Sequence, residues 1–168
     1  MGAIRERDAL GYEVFLPGPA RRIVSLVPSQ TELLHDLGLD AEVVGITRFC
    51  VHPSHWRRTK TRIGGTKDVR VERVRSLAPD LVIANREENV REQVEAIRCF
   101  CPVWTSDVND LAGALEMIRS VGRLTGKEAE AGAYGPFDRG CVHSVRADGS
   151  VGSNRLSDLE GSLDGRRW

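Results

Sequence analysis

The stretch that most restricts the possible fold runs from Arg21 to Leu37, R-R-I-V-S-L-V-P-S-Q-T-E-L-L-H-D-L. Residues 23–27 are apolar but for Ser25, too few for a helix and rich in β-branched side chains, which predicts a buried strand. Pro28 has no N–H for a strand ladder and closes that run. Ser29 followed three residues later by Glu32 has capping-box spacing, so a helix is predicted over residues 29–37 with Ser29 as its N-cap. Leu33, Leu34 and Leu37 fall at helical spacing, and Gly38 supplies the stop. A strand that turns at once into a helix directs free backbone N–H groups at one point beyond the sheet edge. In open parallel sheets, ligands bind along that edge.

The same alternation continues along the chain. Residues 12–16 read as an edge strand or hairpin arm, cut off by P-G-P. Residues 43–47 are the next buried strand. A long irregular stretch follows, R-F-C-V-H-P-S-H-W-R-R-T-K-T-R-I-G-G-T-K-D, and a loop of that length inside a domain is usually functional. Residues 71–77 predict a short helix and residues 80–84 a central strand. Residues 88–100 predict an amphipathic helix and residues 102–105 another strand. Residues 110–124 predict a helix buried through Leu111, Leu115, Ile118 and Val121, ended by Gly126. Strand and helix alternating with short connections predict an α/β fold: an open, mainly parallel sheet of about four to five strands, with helices on both faces. Residues 1–20 form an extension and edge strand, and residues 21–130 the α/β lobe. Residues 131–168, rich in Gly, Ser, Asp and Arg, follow neither period and predict a disordered or aberrant tail.

Bulk properties exclude several classes. With 24 basic and 24 acidic residues the formal charge is zero, which gives no electrostatic footprint for nucleic acid. No apolar run reaches the roughly 20 residues that span a bilayer, so no direct membrane insertion is predicted. The first twenty residues are charged and lack a continuous apolar core, so the chain as written is expected in the cytoplasm. The four cysteines, Cys50, Cys99, Cys101 and Cys141, are too few for a disulfide scaffold and are expected reduced.

Four motifs in order, R-I-V-S-L-V-P-S-Q-T-E-L-L, V-V-G-I-T-R-F-C-V-H-P, R-I-G-G-T-K and V-E-R-V-R-S-L-A-P-D-L-V-I-A-N, resemble the amino-terminal lobe of the periplasmic cobalamin- and iron-siderophore-binding proteins, the helical-backbone metal receptors. The resemblance covers residues 12–130. It implies a substrate-binding component of an ABC importer rather than an enzyme. Such proteins have two lobes joined by a rigid helix, with a chelate between them: cobalamin, an iron-siderophore or haem. No tightly bound cofactor is implied beyond the transported ligand, and the expected partners are the chelate and the importer's permease. Carried onto this chain, the ligand-binding positions are Pro28, Ser29, Phe49, Cys50, His52, Gly65, Thr66, Lys67, Asn85, Glu87 and Glu88. Glu72 matches the position that docks on the permease. The family is periplasmic or cell-surface. The connecting helix and the second lobe are not recognisable here, so the resemblance implies a single, truncated lobe.

Several of these residues also have a plainer reading. Ser29 is accounted for by its cap alone. Cys50 and His52 offer thiolate and imidazole donors to a metal, or else Phe49 and Cys50 pack inward and His52 stays wet. His52, His55 and Trp56 can form a stacking wall for a flat ligand. Gly64-Gly65 serves a tight turn or a close approach to ligand. Glu87, Glu88 and Glu72 each also favour a helix N-terminus. No protein metal site is predicted, since Cys99-Phe100-Cys101 lacks a second pair at zinc spacing. No catalytic set converges; the alternative function is a small flavodoxin-like enzyme or an interaction domain that uses the same strand-end loops.

Overall fold

The computed structural model describes residues 2–134. Strands β1 (Ile4–Arg7) and β2 (Glu13–Leu16) form an antiparallel hairpin. β2 is the hairpin arm expected at residues 12–16. Its partner I-R-E-R is charged at three of four positions, which hides it from a hydrophobicity reading.

The main sheet follows: β3 (Ile23–Ser25), β4 (Val43–Ile46), β5 (Thr61–Arg62), β6 (Leu81–Asn85) and β7 (Val103–Ser106). All are parallel, in the order β5-β4-β3-β6-β7. Helices α1 (Pro28–Asp36), α2 (Trp56–Thr59), α3 (Val71–Ser76), α4 (Arg91–Arg98), α5 (Leu111–Thr125) and α6 (Glu128–Gly132) complete the fold. Successive strand residues point to opposite faces, and two separate apolar clusters result. Ile23, Leu81, Ile83 and Trp104 pack with Leu34 and Leu37 of α1 and Val121 and Leu124 of α5. Val24, Val82, Ala84 and Val103 pack with Val74 of α3 and Val94 and Ile97 of α4. The sheet is therefore buried on both sides, as near-continuous apolar strands require.

Several expectations are corrected. Helix α1 starts one residue early: Val27 is its N-cap, with no side-chain cap bond, and Pro28 stands at the first helical position. The fixed φ of proline suits that position, where no N–H is needed, so Ser29 sits inside the first turn and the capping box does not form. Thr31 binds back instead, its Oγ1 donating to the Val27 carbonyl at 2.8 Å. The long irregular stretch contains α2 and the edge strand β5, and Trp56 is fully buried rather than part of a stacking wall. Its indole N–H donates to Asp40 Oδ1. Helix α4 begins at Arg91, not 88, because residues 85–89 make a turn of their own. Leu111 is 73% exposed and stands outside the buried stripe of α5. At its ends α5 is as read, with the Asp110 side chain accepting from the Gly113 N–H and Gly126 at a left-handed φ of 69°. Helix α6 and the buried Ala131 extend order past residue 130; residues 135–168 of the expected tail lie outside the described residues.

Candidate functional site

The chain leaves β3 towards β4 and leaves β6 towards β7, in opposite directions, although β3 and β6 are neighbours. That is a topological switch point, where a crevice opens beyond the carboxyl ends of the strands. The segments after β3, β4, β5 and β6 meet along this rim. On this rim Phe49 meets Gly65, Asn89 holds Thr66, Lys67 reaches Glu87, and Asn85, Glu87 and Glu88 share one turn; Pro28 and the exposed Ser29 open α1, and His52 lies on the segment after β4.

The turn after β6 is built by its own amides. Asn85 Oδ1 accepts from the N–H groups of Glu87 (2.9 Å) and Glu88 (3.1 Å), an Asx turn that displays both glutamates. Burial raises the Glu88 carboxyl above its ordinary value, and the nearby Lys67 ammonium opposes that shift. Asn89, 4% exposed, joins three segments. Its Oδ1 accepts from the Asn85 N–H at 2.8 Å, and its Nδ2 donates to Thr66 O at 3.0 Å and Leu26 O at 3.4 Å. Gln93 adds two bonds, Nε2 to Lys67 O (3.1 Å) and Oε1 from the Val69 N–H (3.0 Å). Lys67 Nζ reaches back to Glu87 O at 2.6 Å.

The segments after β4 and β5 are pressed together at a glycine. A Cβ on Gly65 would lie 2.2 Å from Asp68 Oδ1 and 3.0 Å from Phe49 Cε2. Phe49 is 51% exposed, with the Arg48 guanidinium 5.1 Å from its ring centroid and paired to Asp68 at 3.2 Å. The inward packing of Phe49 is thus corrected: it lies on the backbone of Gly65 as an open apolar platform. Cys50 is turned the other way, 1% exposed, with its sulfur 3.0 Å from Thr31 Oγ1 and 3.2 Å from Thr47 Oγ1. His52 is exposed, so Cys50 and His52 do not form a paired donor set. Among the described residues, no three His, Cys, Asp or Glu side chains come together to hold a metal ion.

Under the crevice, Gln30 is buried. Its Nε2 donates to Ser106 Oγ, which also receives a bond from Asn85 Nδ2 at 3.2 Å and donates to Ala84 O at 3.3 Å. Gln30, Asn89, Gln93 and Ser106 were not marked by sequence reasoning. The one clue to Asn89 is a polar side chain placed just before an amphipathic helix. Glu72 stands in the first turn of α3, its side chain 83% exposed and 3.7 Å from Arg75. No helix among the described residues is long and apolar enough to cross a membrane.

Residues 23–146 match the periplasmic binding protein family profile. The chain belongs to that family. The chain is 33% identical over 129 residues to the ABC transporter substrate-binding lipoprotein YvrC of Bacillus subtilis, covering 74% of this chain and 40% of that protein. It is 32% identical over 135 residues to the cobalamin-binding protein of Halobacterium salinarum, covering 77% and 36%. Its fold matches the siderophore-binding protein BauB, solved with two acinetobactin molecules and ferric iron, at a TM-score of 0.68 and 18% identity. That match covers 77% of this chain and 48% of BauB. This periplasmic binding protein chain thus spans well under half the length of the curated relatives it matches. The family is one of binding proteins, not enzymes.

Proposed function

We propose that this chain supplies one lobe of the substrate-binding component of an ABC importer, working outside the cytoplasmic membrane, and that its rim covers one side of a metal chelate. The chelate class is cobalamin or a related iron-siderophore or haem, as the names of its relatives and structural neighbours suggest. The observation that carries this reading is the joining of four strand-end segments into one face over the switch point. That face offers an exposed aromatic ring (Phe49), a glycine-backed turn (Gly65, Thr66, Lys67), two half-buried polar groups (Asn85, Glu88) and the exposed Glu87, with Pro28, Ser29 and His52 at its border. An apolar platform ringed by a few fixed polar groups suits a bulky, mainly apolar ligand with polar substituents. The metal arrives already chelated, so the protein need not ligate it. Cys50 supports the segment after β4 from below. Glu72, exposed on α3, is the candidate contact with the permease.

A single lobe covers one face of such a ligand, while tight small-molecule sites bury most of the ligand surface. The chain alone is therefore expected to bind cyanocobalamin, haemin or a ferric siderophore with a Kd on the order of 100 μM or weaker. Amide-shift titration with each chelate tests this, with Phe49→Ala weakening whichever binds. Absence of any amide shift at the rim with all three would overturn the proposal, and submicromolar binding would overturn its one-sided geometry.

A further inference from the structure

We propose that Asn89 is the positioning residue of the ligand face, holding the segments after β3, β5 and β6 in one register so that the rim meets its chelate preformed. This rests on the rim being the ligand face, as proposed above. Asn89 is almost fully buried, yet it is polar at both ends. A buried amide is costly unless it is paired. Here the pairs fall on three different stretches of backbone: the Asn85 N–H, Thr66 O and Leu26 O. Residues 26, 66 and 85 are distant in sequence, and the strands they follow are not all neighbours. β5 is an edge strand with β4 and β3 between it and β6. The segment after β5 must cross that gap to reach the turn after β6, and Asn89 bridges it.

The chemistry calls for a side-chain amide. One side chain must accept one bond and donate two. Aspartate accepts but donates none, and it would set a carboxylate against two carbonyl oxygens. Leucine does neither. The neighbouring bonds reinforce the bridge: Gln93 holds both Lys67 O and the Val69 N–H, and Lys67 Nζ holds Glu87 O. Because Asn89 grips Thr66 by its carbonyl, the Thr66 side chain takes no part in the bridge. A face fixed in advance loses less conformational freedom on binding.

The test compares wild type with Asn89→Asp and, in case that variant does not fold, Asn89→Ala. Amide hydrogen exchange is read at residues 64–69 and in β3 and β6, and cyanocobalamin is titrated by amide shifts. The proposal predicts faster exchange at residues 64–69 with the strand amides still protected, and an affinity loss on the order of tenfold. A variant that keeps wild-type protection at residues 64–69 overturns it. So does a variant that loses this protection yet binds cyanocobalamin as wild type does. A wild type that binds no chelate refutes the functional reading as well; a wild type that binds, beside a variant that binds equally, refutes the role of Asn89 alone.

Discussion

Adjacent glycines in the segment after β5 respond to substitution in opposite ways, and the difference can be worked from the structure. Gly64 has φ of 110°, and a Cβ there would lie 2.3 Å from the Asp68 carbonyl oxygen and 3.1 Å from the Arg70 nitrogen. Both obstacles are backbone. They belong to a bridge between Gly64 and Val69, and Gly64 O also accepts from the Arg48 N–H at 2.8 Å. Neither can yield without breaking that pairing. A left-handed side chain costs about 1–2 kcal/mol, and forced displacement of packed atoms about 1–3 kcal/mol, so Gly64→Ala is expected to cost roughly 2–5 kcal/mol. Gly65 has no such φ. A Cβ there meets side-chain atoms of Asp68, Phe49 and Arg48, all more than half exposed and able to swing away. Gly65→Ala is expected to cost less than about 1 kcal/mol.

Thermal unfolding followed by circular dichroism reads both. At roughly 3 °C per kcal/mol for a chain of this size, Gly64→Ala lowers Tm by roughly 6–15 °C and Gly65→Ala by less than about 3 °C. Gly65→Ala should still weaken chelate binding, because Phe49 must leave its seat. Equal destabilisation by the two variants refutes the distinction between backbone and side-chain obstacles, and unaltered binding by Gly65→Ala refutes the seat.

Three further outcomes are expected. Leu111→Ser should change the urea midpoint little, within about 0.5 kcal/mol, since Leu111 is mostly exposed, whereas Leu124→Ala should cost about 2–5 kcal/mol because that side chain is fully buried. The Arg123 guanidinium, hydrogen-bonded to Glu6 at 2.8 Å, holds the Glu6 carboxyl below its ordinary value. Its stabilisation is then fully present above the unfolded pKa and fades as pH falls through the folded one. Urea midpoints should therefore converge for wild type and Glu6→Gln from about pH 7 down to about pH 3; a gap that widens on acidification contradicts the pairing. Among the described cysteines, alkylation of the native chain at neutral pH should label exposed Cys99 and spare Cys50 and Cys101, the latter a thiol pushed up to about 12 by burial and by Asp80. Peptide mass mapping checks this.

The regular elements were legible in the sequence because their apolar spacing is local. Residues 80–84 announce β6, and the turn from 23–27 into a helix announces the rim proposed as the ligand face. What was not legible depends on contacts between distant segments or on competition between local rules. Ser29 and Glu32 satisfy a capping pattern, yet Pro28 fits the first helical position better and shifts the cap to Val27. Trp56, flanked by histidine and arginines, reads as surface, but Asp40 offers its indole N–H an acceptor and the ring fills the core. Cys50 and His52 share a loop and diverge because Thr31 and Thr47 draw the thiol inward. Asn89 carries little local signal of its role, since two of its three partners, Leu26 O and Thr66 O, come from segments that only the folded sheet brings near it.

The most direct test of the account is amide-shift mapping of the chain with cyanocobalamin. Shifts are predicted to gather at residues 29–30, 49–52, 65–67 and 85–88. Shifts centred on the β1–β2 hairpin, on α5 or at the amino ends of the sheet strands would contradict it.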